Sequence, residues 1–448
     1  MDQTKRASGA PVATAEPPAP PAPAGPPQRG WLEERLGLAA FYQKYGRKVF
    51  PVHSTFFLGE MAAFSFLILV VTGVYLGLIY APSNVAVPYG QDQLPEAFAS
   101  VKLIESIPVA NLFRNVHHWA AHLMIASIVL HLLRVFFTGA YRKPREITWL
   151  AGSVLLGLTL MAGFVGYALP YDAFAVTATG VGYAIARSIP YVGNVAADLF
   201  FGGAFPTLGS LPRLYTIHVF VAPALIALTL GAHLLLVVKQ KHTQPGYARR
   251  LAEPGRVLGV PFLPYQALLA GELLLLTLGG LFLLSAFLPV HPLDAYGPPG
   301  PATPAVKPDW YLLWLFGFVK LVPNRLAFPL PGGMIGPEFV GGVAFPALIL
   351  GALTLAPWLD RTNRRATKRY EYLEPPAQSP ARLGWGVGVL SYVGMLILAA
   401  YYDEIGLTLL EMWLLSLGVP MILGAGAYLL AVRAARYRAA DFDARADD

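Results

Sequence analysis

Apolar stretches as long as a bilayer is thick recur along this chain, and they limit its possible folds more than any other feature. A helix needs about 20 predominantly apolar residues to cross the hydrocarbon layer. Eight stretches approach that length, at residues 56–80, 113–138, 148–169, 213–238, 266–288, 339–358, 384–402 and 408–432. Because backbone polar groups in lipid must be satisfied within the spanning element, helices are the favoured form. We therefore predict an all-α, polytopic membrane protein with about eight transmembrane helices.

The composition agrees with a lipid-facing surface and limits the chemistry that the chain can perform. Hydrophobic residues make up 55% of the 448 residues and charged residues 13%, whereas soluble domains average about 25% charged residues. The chain has no cysteine. Disulfides, thiolate metal sites, iron–sulfur clusters and covalent haem attachment through this chain are therefore excluded. A bound metal must be held by His, Met or oxygen ligands.

The Lys and Arg residues predict the orientation of the chain in the membrane. With eight spans, 25 of them fall on the side that holds the N-terminus and 7 on the opposite side. Positive residues concentrate in cytoplasmic loops, so we predict that both termini lie in the cytoplasm. We expect the membrane itself to be a bacterial inner membrane. Residues 1–30 are rich in Pro and Ala and contain no apolar core, which predicts a disordered cytoplasmic tail.

Histidines in the second and fourth predicted helices have a regular spacing. His117 and His131 are fourteen residues apart, and His218 and His233 are fifteen residues apart. At about 100° per residue, the members of these pairs lie within about 40° and 60° of a common helix face. Each helix thus offers one imidazole near each membrane surface, while the neighbouring His118 and His122 are expected to point elsewhere.

Both helices run from the outer to the inner side, which pairs the histidines by depth. His117 is expected to face His218 near the outer surface, and His131 to face His233 near the inner surface. Two facing imidazoles are a usual way to hold a b-type haem in a helix bundle, so we predict a di-haem four-helix bundle formed by the first four helices. The alternative is a haem-free transporter in which the histidines relay protons.

Arginines and glycines near these positions agree with haem binding. Arg114 precedes His117 by three residues and Arg134 follows His131 by three, where haem propionates need cationic partners. Glycines in the first and third helices repeat the fourteen-residue interval and would allow close approach to a flat macrocycle; ordinary packing of small residues is the alternative. These glycines are Gly59, Gly73, Gly152 and Gly166.

Several segments resemble cytochrome b of the quinol-oxidising cytochrome bc complexes. They include the histidine spacing, "TGAYRKPREITWLAG", "EAFASV", "GVPFLPYQ" and "TPAVKPDWYLLWLFGFVKLVPN". The first half is most similar to the photosynthetic type, and the resemblance covers about residues 31–360. It implies a di-haem N-terminal bundle at 31–250, and a C-terminal region at 251–448 with about four helices and the quinol-site loop.

The resemblance also implies the activity and the partners. Two b-type haems would be ligated by the four histidines, and quinol would be oxidised at an outer site together with a Rieske iron–sulfur protein. Electrons would pass through the haems to a quinone at an inner site, coupled to proton translocation. A homodimer with a c-type cytochrome is expected. A di-haem membrane anchor of a dehydrogenase or hydrogenase is the alternative, since such anchors also use histidine pairs in the membrane.

The candidate quinol site is the segment Pro308-Asp309-Trp310-Tyr311. Quinol oxidation needs a proton acceptor, and a carboxylate half-buried among aromatic residues is expected to have a raised pKa; Asp309 and Tyr311 are the catalytic candidates. Tyr167 matches an aromatic residue of the outer pocket, and Pro308 is expected to contact quinone. Relatives often carry Glu in place of Asp309, and the Asp form suggests menaquinone.

Two further segments are assigned by resemblance. "IPYVG" at residues 189–193 resembles the loop helix over the outer pocket. His242 follows the fourth helix, where relatives place polar groups that contact the inner quinone. A solvated loop explains His242 equally well.

Overall fold

The computed structural model describes residues 30–251, 256–290, 307–323, 325, 327–330 and 333–444. The tail predicted for residues 1–30 lies outside these ranges except for Gly30. The chain divides into two compact units, Met1–Lys48 and Val49–Asp448. The described part of the first unit is helical, with segments Trp31–Leu36, Leu38–Phe41 and Tyr42–Gly46.

Eight helices in the described ranges are long and apolar enough to cross a membrane, which confirms the predicted all-α, polytopic fold. They are called spans 1 to 8, and they differ from the predicted stretches by only a few residues at most ends. Their bounds are Ser54–Gly77, Pro108–Phe137, Glu146–Ala168, Ser210–Gln240, Phe262–Phe287, Pro337–Arg365, Pro380–Ala399 and Leu409–Arg436.

Short elements connect the spans. The connecting helices are Glu96–Ser106, Ala173–Arg187, Gly193–Phe201, Ala248–Leu251, Leu313–Leu321 and the 3-10 turn Pro376–Gln378, and the helix of span 8 continues to Ala444. Three antiparallel pairs of short strands are described: Val49–Phe50 with Val260–Pro261, Ala86–Tyr89 with Asp92–Pro95, and Phe328–Leu330 with Gly333–Ile335. The segment "IPYVG" is mostly a turn and not the predicted loop helix: residues 188–192 connect two short helices, and the second helix begins at Gly193. Tyr191 in this turn has a φ of 66°.

Loops that follow even-numbered spans meet at one end of the bundle, as alternating crossings require. The Arg142 and Arg382 guanidiniums lie 2.8 and 3.0 Å from the two carboxylate oxygens of Glu374. The Tyr370 amide also donates to the Lys143 carbonyl at 3.0 Å. Burial opposes ionisation of Glu374, but the hydrogen bonds and charges of both arginines outweigh it and lower the Glu374 pKa. This end is the one that carries most of the Lys and Arg residues.

The other end is assembled from the loops after odd-numbered spans. The Tyr80 hydroxyl donates to the Leu169 carbonyl at 2.7 Å, and the Asn84 amide donates to the Thr207 carbonyl at 2.9 Å. These bonds join the loop after span 1 to the loop after span 3. Sequence positions about 90 to 120 residues apart are thereby fixed beside one another.

Span 7 supports the helix Leu313–Leu321, which follows the candidate quinol segment. Gly317 lies so close to the Leu396 carbonyl that any side chain there would overlap it. Leu321, Leu396 and Met412 are fully buried in the cluster that joins this helix to spans 6, 7 and 8. The last two spans therefore position the segment that contains Asp309.

Span 4 contains a π-helical turn at Ile217–Val221, directly at His218. A π-turn closes its hydrogen bond over five residues where an α-turn uses four, so it absorbs one extra residue. With one residue absorbed in this way, His218 and His233 share one face of span 4 despite their fifteen-residue interval. His117 and His131 share one face of span 2 with an interval of fourteen.

Candidate functional site

A cavity of about 330 Å³ lies between spans 1 to 4 and the segment around Asp309. His117 of span 2 and His218 of span 4 line it, together with Tyr167 at the end of span 3. Asp309 and Tyr311 reach the same cavity from a loop that is distant in sequence. The cavity therefore unites the predicted outer histidine pair with most of the predicted quinol site.

The two outer imidazoles face each other across this cavity. Their ring centroids are 6.1 Å apart, and the rings are inclined at 67°. Two imidazoles bound on opposite sides of one metal ion have centroids about 6 Å apart, because metal–nitrogen bonds are about 2.0–2.1 Å long. The separation of His117 and His218 thus suits two histidines that would hold one haem iron between them.

Hydrogen bonds set the tautomers of the outer pair. The His218 Nδ1 lies 3.0 Å from the Ala162 carbonyl oxygen, which only accepts. The His117 Nδ1 lies 2.9 Å from Thr72 Oγ1, whose hydroxyl already donates to the Ile68 carbonyl at 2.7 Å. Both histidines must therefore donate from Nδ1, which leaves the Nε2 lone pair for a metal.

Each predicted glycine lies directly against one of the four histidines. A Cβ on Gly73 or Gly59 would approach the ring carbon Cε1 of His117 or His131 to 3.1 Å, and one on Gly152 would approach that of His233 to 3.4 Å. On Gly166 it would overlap the His218 ring, with only 2.9 Å left to Nδ1. The glycines thus let the helix backbone lie close to the four imidazoles. Their predicted contact with a haem macrocycle stays a prediction.

The inner pair has less support from its surroundings. His131 and His233 lie close enough to interact electrostatically. Among the described residues, the Nδ1 atoms of both rings are buried without a hydrogen-bond partner. The Thr148 carbonyl faces His233, but not with the geometry of a hydrogen bond.

The two arginines have different partners. Arg114 lines the outer cavity, and its guanidinium lies 3.2 Å from a carboxylate oxygen of Glu105. Arg134 lies with its guanidinium 4.9 Å from the centre of the Phe56 ring. Its Nε is buried and has no hydrogen-bond partner among the described residues. A buried cation with an unpaired donor suits a carboxylate that arrives with a bound group.

These observations fit a b-type haem at each level. The ligands are imidazoles, which hold such a haem without cysteine. The outer pair has the spacing and tautomers that an iron needs, and the inner level contains a buried arginine that a propionate would neutralise.

Asp309 and Tyr311 form a hydrogen-bonded pair in the outer cavity. The Tyr311 hydroxyl donates to the Asp309 carboxylate at 3.3 Å, and the ring packs against Gly163 of span 3. Burial and then the nearby Asp309 charge raise the pKa of Tyr311. Tyr167 lines the same cavity, whereas Pro308 does not.

His118 and His122 also line the outer cavity, which corrects the expectation that they point elsewhere. The cavity extends around span 2 to meet the loop that carries Trp310 and Tyr311. The Trp310 indole donates to His122 Nδ1 at 2.9 Å. The spacing of four residues places His118 and His122 on one helix face, which was the only signal for them in the sequence.

His242 lies away from the outer cavity. Its ring packs edge-on against Phe50, with centroids 5.1 Å apart. Its predicted contact with an inner quinone stays a prediction.

Comparisons with known proteins agree on one family. The family model described as cytochrome b (N-terminal)/b6/petB matches residues 122–298. The cytochrome bc1 complex cytochrome b subunit of Streptomyces coelicolor is 34% identical over 396 residues, covering 85% of this chain and 71% of the relative. The subunit of the same name from Mycobacterium tuberculosis H37Rv is also 34% identical, with coverages of 84% and 70%.

The fold is similar to a solved chain of a hyperthermophilic respiratory Complex III. The TM-score is 0.66 at 24% identity, and the match covers 89% of this chain and 96% of the other. Together with the identity and coverage of the bacterial relatives, the histidine-lined bundle leads to one conclusion: this chain belongs to the family of cytochrome b subunits of cytochrome bc1 complexes.

Proposed function

We propose that this chain is the di-haem subunit of a quinol:cytochrome c reductase, in which quinol oxidation is coupled to proton translocation. The observation that carries the proposal is the outer cavity. A histidine pair with a separation suited to iron ligation shares it with Asp309 and Tyr311. One cavity thus combines ligands for a redox group with a candidate proton acceptor, and quinol oxidation requires both.

The four histidines would hold two non-covalent b-type haems. His117 and His218 would ligate the outer haem, and His131 and His233 the inner one. When bound, the haems carry electrons across the bilayer between an outer and an inner quinone site. Arg114 and Arg134 would pair with propionates, and Gly59, Gly73, Gly152 and Gly166 would give the histidine rings and the haems the space that they need.

Asp309 would accept a proton from quinol in the outer cavity. Tyr311 donates a hydrogen bond to this carboxylate. Burial raises the Tyr311 pKa further above physiological pH, so the phenol is a donor that would orient Asp309. Tyr167, which lines the same cavity, would contact the quinone ring. Pro308 does not line the cavity, so its contact with quinone rests on the family resemblance alone. Within the family that this chain resembles, aspartate at the position of Asp309 suggests menaquinone. Menaquinone is therefore the quinone that we propose.

The remaining assignments rest on family membership and on the charge distribution. The subunit would work with a Rieske iron–sulfur protein and a c-type cytochrome in a dimeric complex. It would lie in the bacterial inner membrane with both termini in the cytoplasm. His242 would contact the inner quinone, and residues 31–250 and 251–448 would form the di-haem bundle and the C-terminal region.

The alternatives have less support. The comparisons favour the cytochrome b subunit and not the di-haem anchor of a dehydrogenase or hydrogenase. A haem-free transporter does not explain why both outer histidines keep their Nε2 lone pairs available.

The test uses the purified complex and the substitution Asp309→Asn. We expect a dithionite-reduced spectrum with two b-type haems per chain. The variant should keep both haems but lose about 10²–10⁴-fold in quinol oxidation, because that is the usual contribution of a positioned proton acceptor. Haem content and steady-state turnover are measured on the same preparations.

Asp92→Asn provides the matched control, since Asp92 is exposed in the strand pair Ala86–Tyr89 and Asp92–Pro95. It should leave turnover unchanged. A wild-type complex without b-type absorption would refute the di-haem assignment. Normal turnover in Asp309→Asn would refute the role of Asp309.

A further inference from the structure

We infer that His122 is a positioning residue for the outer quinol site: its imidazole accepts the Trp310 hydrogen bond and thereby fixes Asp309 and Tyr311 relative to span 2. The inference rests on the proposed function of the outer cavity and extends it to a residue outside the four haem histidines. The contact joins positions 188 residues apart in sequence.

The geometry around His122 is specific. Trp310 Nε1 lies 2.9 Å from His122 Nδ1. The Tyr311 ring centroid is 6.0 Å from that of His122, with the rings inclined at 71°. His118 and Trp119 pack against the other sides of the imidazole, with centroids 4.5 and 5.4 Å away. The imidazole is therefore held among aromatic rings while it contacts the loop.

The chemistry of the two groups determines what residue 122 must provide. An indole N–H only donates, so His122 must present the lone pair of Nδ1. In the neutral imidazole the proton then resides on Nε2. An acceptor at this position is required for the contact, whereas an apolar side chain of similar size leaves the Trp310 N–H without its partner.

Trp310 lies between Asp309 and Tyr311 in the chain, so the hydrogen bond from Trp310 to His122 restrains both neighbouring residues. Tyr311 is buried with only 8% of its surface exposed, whereas Trp310 is 41% exposed. Packing therefore holds Tyr311 more firmly than Trp310, and Trp310 depends more on its hydrogen bond.

His122 is five residues after His117 on the same helix, about 7.5 Å along its axis. The bond consequently fixes the spacing between the candidate proton acceptor and the outer histidine pair. A misplacement of about 1 Å in such a site can cost about 10²-fold in rate.

The experiment compares four variants of the purified complex in steady-state quinol oxidation: His122→Leu, His122→Asn, Trp310→Phe and the double variant His122→Leu/Trp310→Phe. Leucine removes the acceptor, and phenylalanine removes the donor but keeps a ring. Asparagine places a carbonyl oxygen near the position of Nδ1. The b-haem spectrum of each variant establishes that the histidine pairs are intact.

We expect His122→Leu and Trp310→Phe each to lower kcat/KM by about 10-fold, with both haems present. Because they break the same bond, the double variant should lose no more than either single one. His122→Asn should retain turnover within about 3-fold of the wild type, since the acceptor is restored. A purely structural role for the imidazole would not produce this rescue.

Trp149→Phe is the matched control. Its indole also donates one hydrogen bond, to the Leu353 carbonyl, and Trp149 does not line the outer cavity. This variant should leave kcat/KM unchanged. Additive losses in the double variant, wild-type kinetics in Trp310→Phe, or failure of His122→Asn to restore turnover would each overturn the inference. A wild-type complex that does not oxidise quinol would instead refute the proposed function.

Discussion

The outer and inner histidine pairs consist of the same residue type, but the protein holds them differently. Both outer rings are tied through Nδ1, one to Thr72 and one to the Ala162 carbonyl. Both inner rings have a buried Nδ1 without a partner among the described residues, and the buried Arg134 Nε lacks one too. The protein alone orients the outer pair, whereas the inner level leaves the Arg134 Nε donor for a carboxylate that would arrive with a bound haem. The inner Nδ1 atoms would gain no partner from that haem, because it would be held through Nε2.

The difference matters because unsatisfied buried polar atoms cost free energy. Each one costs about 1–3 kcal/mol, and a buried charge costs more. The inner level should therefore gain more stability from its haem than the outer level does. The outer level is ordered in advance, as a site next to a reacting substrate requires.

The largest expected effect comes from adding one methyl group beside a histidine. Gly166→Ala places a Cβ in steric overlap with the His218 ring, so the ring must move and the outer haem should be lost. Gly152→Ala is the matched substitution at the inner level, where the Cβ would meet His233 at 3.4 Å, an ordinary van der Waals contact. The measurement is the haem content per chain, from the reduced spectrum.

Gly166→Ala should retain only the inner haem, and Gly152→Ala should lose much less haem than Gly166→Ala does. Equal haem loss in both variants would mean that the glycines serve general helix packing at both levels. Retention of the outer haem in Gly166→Ala would contradict ligation by His218 in its observed position.

The second effect concerns the arginines. Arg134→Met removes the buried guanidinium from the inner level and should weaken the inner haem by about 10²-fold or more, because a buried charge pair loses one partner. Arg114→Met should have a smaller effect, since Arg114 is already paired with Glu105. Haem retention during titration with an apo-globin acceptor measures both. A larger loss of haem in Arg114→Met than in Arg134→Met would show that the outer level depends more on its arginine than the inner level does.

The smallest effect should follow removal of one hydrogen bond in the outer pair. Thr72→Val deletes the acceptor of the His117 Nδ1 proton. Such a bond makes the imidazole a more basic ligand and favours oxidised iron, so its loss should raise the midpoint potential of the outer haem. A tenfold change in relative stability corresponds to about 59 mV for one electron, and we expect a shift of that order or less.

Redox titration of the two b-type bands distinguishes the levels in Thr72→Val. The inner haem should keep its wild-type potential, because Thr72 hydrogen-bonds to His117 and, in the described structure, to neither inner histidine. A shift confined to the inner haem would show that the assignment of levels is wrong.

Much of the fold could be predicted from the sequence, because a helix that crosses a bilayer must be apolar along its own length. Each span is recognised from its own run of apolar residues, without knowledge of its neighbours. The spacing of His117 and His131 predicts one helix face from the regular α-helix alone. For His218 and His233, the same rule predicts an angular offset of about 60° from a common helix face. The rule does not include the π-turn at Ile217–Val221, which absorbs the extra residue.

The sequence by itself determined the eight helices, the four candidate ligands and the glycines that face them. All of these follow from short-range periodicity and from what lipid excludes. Only the tertiary structure decided that His122 meets Trp310, that Arg114 and Arg134 differ in their partners, and that span 7 supports the quinol segment. These contacts join residues far apart in the chain, and they depend on loop paths and side-chain directions that no local pattern encodes.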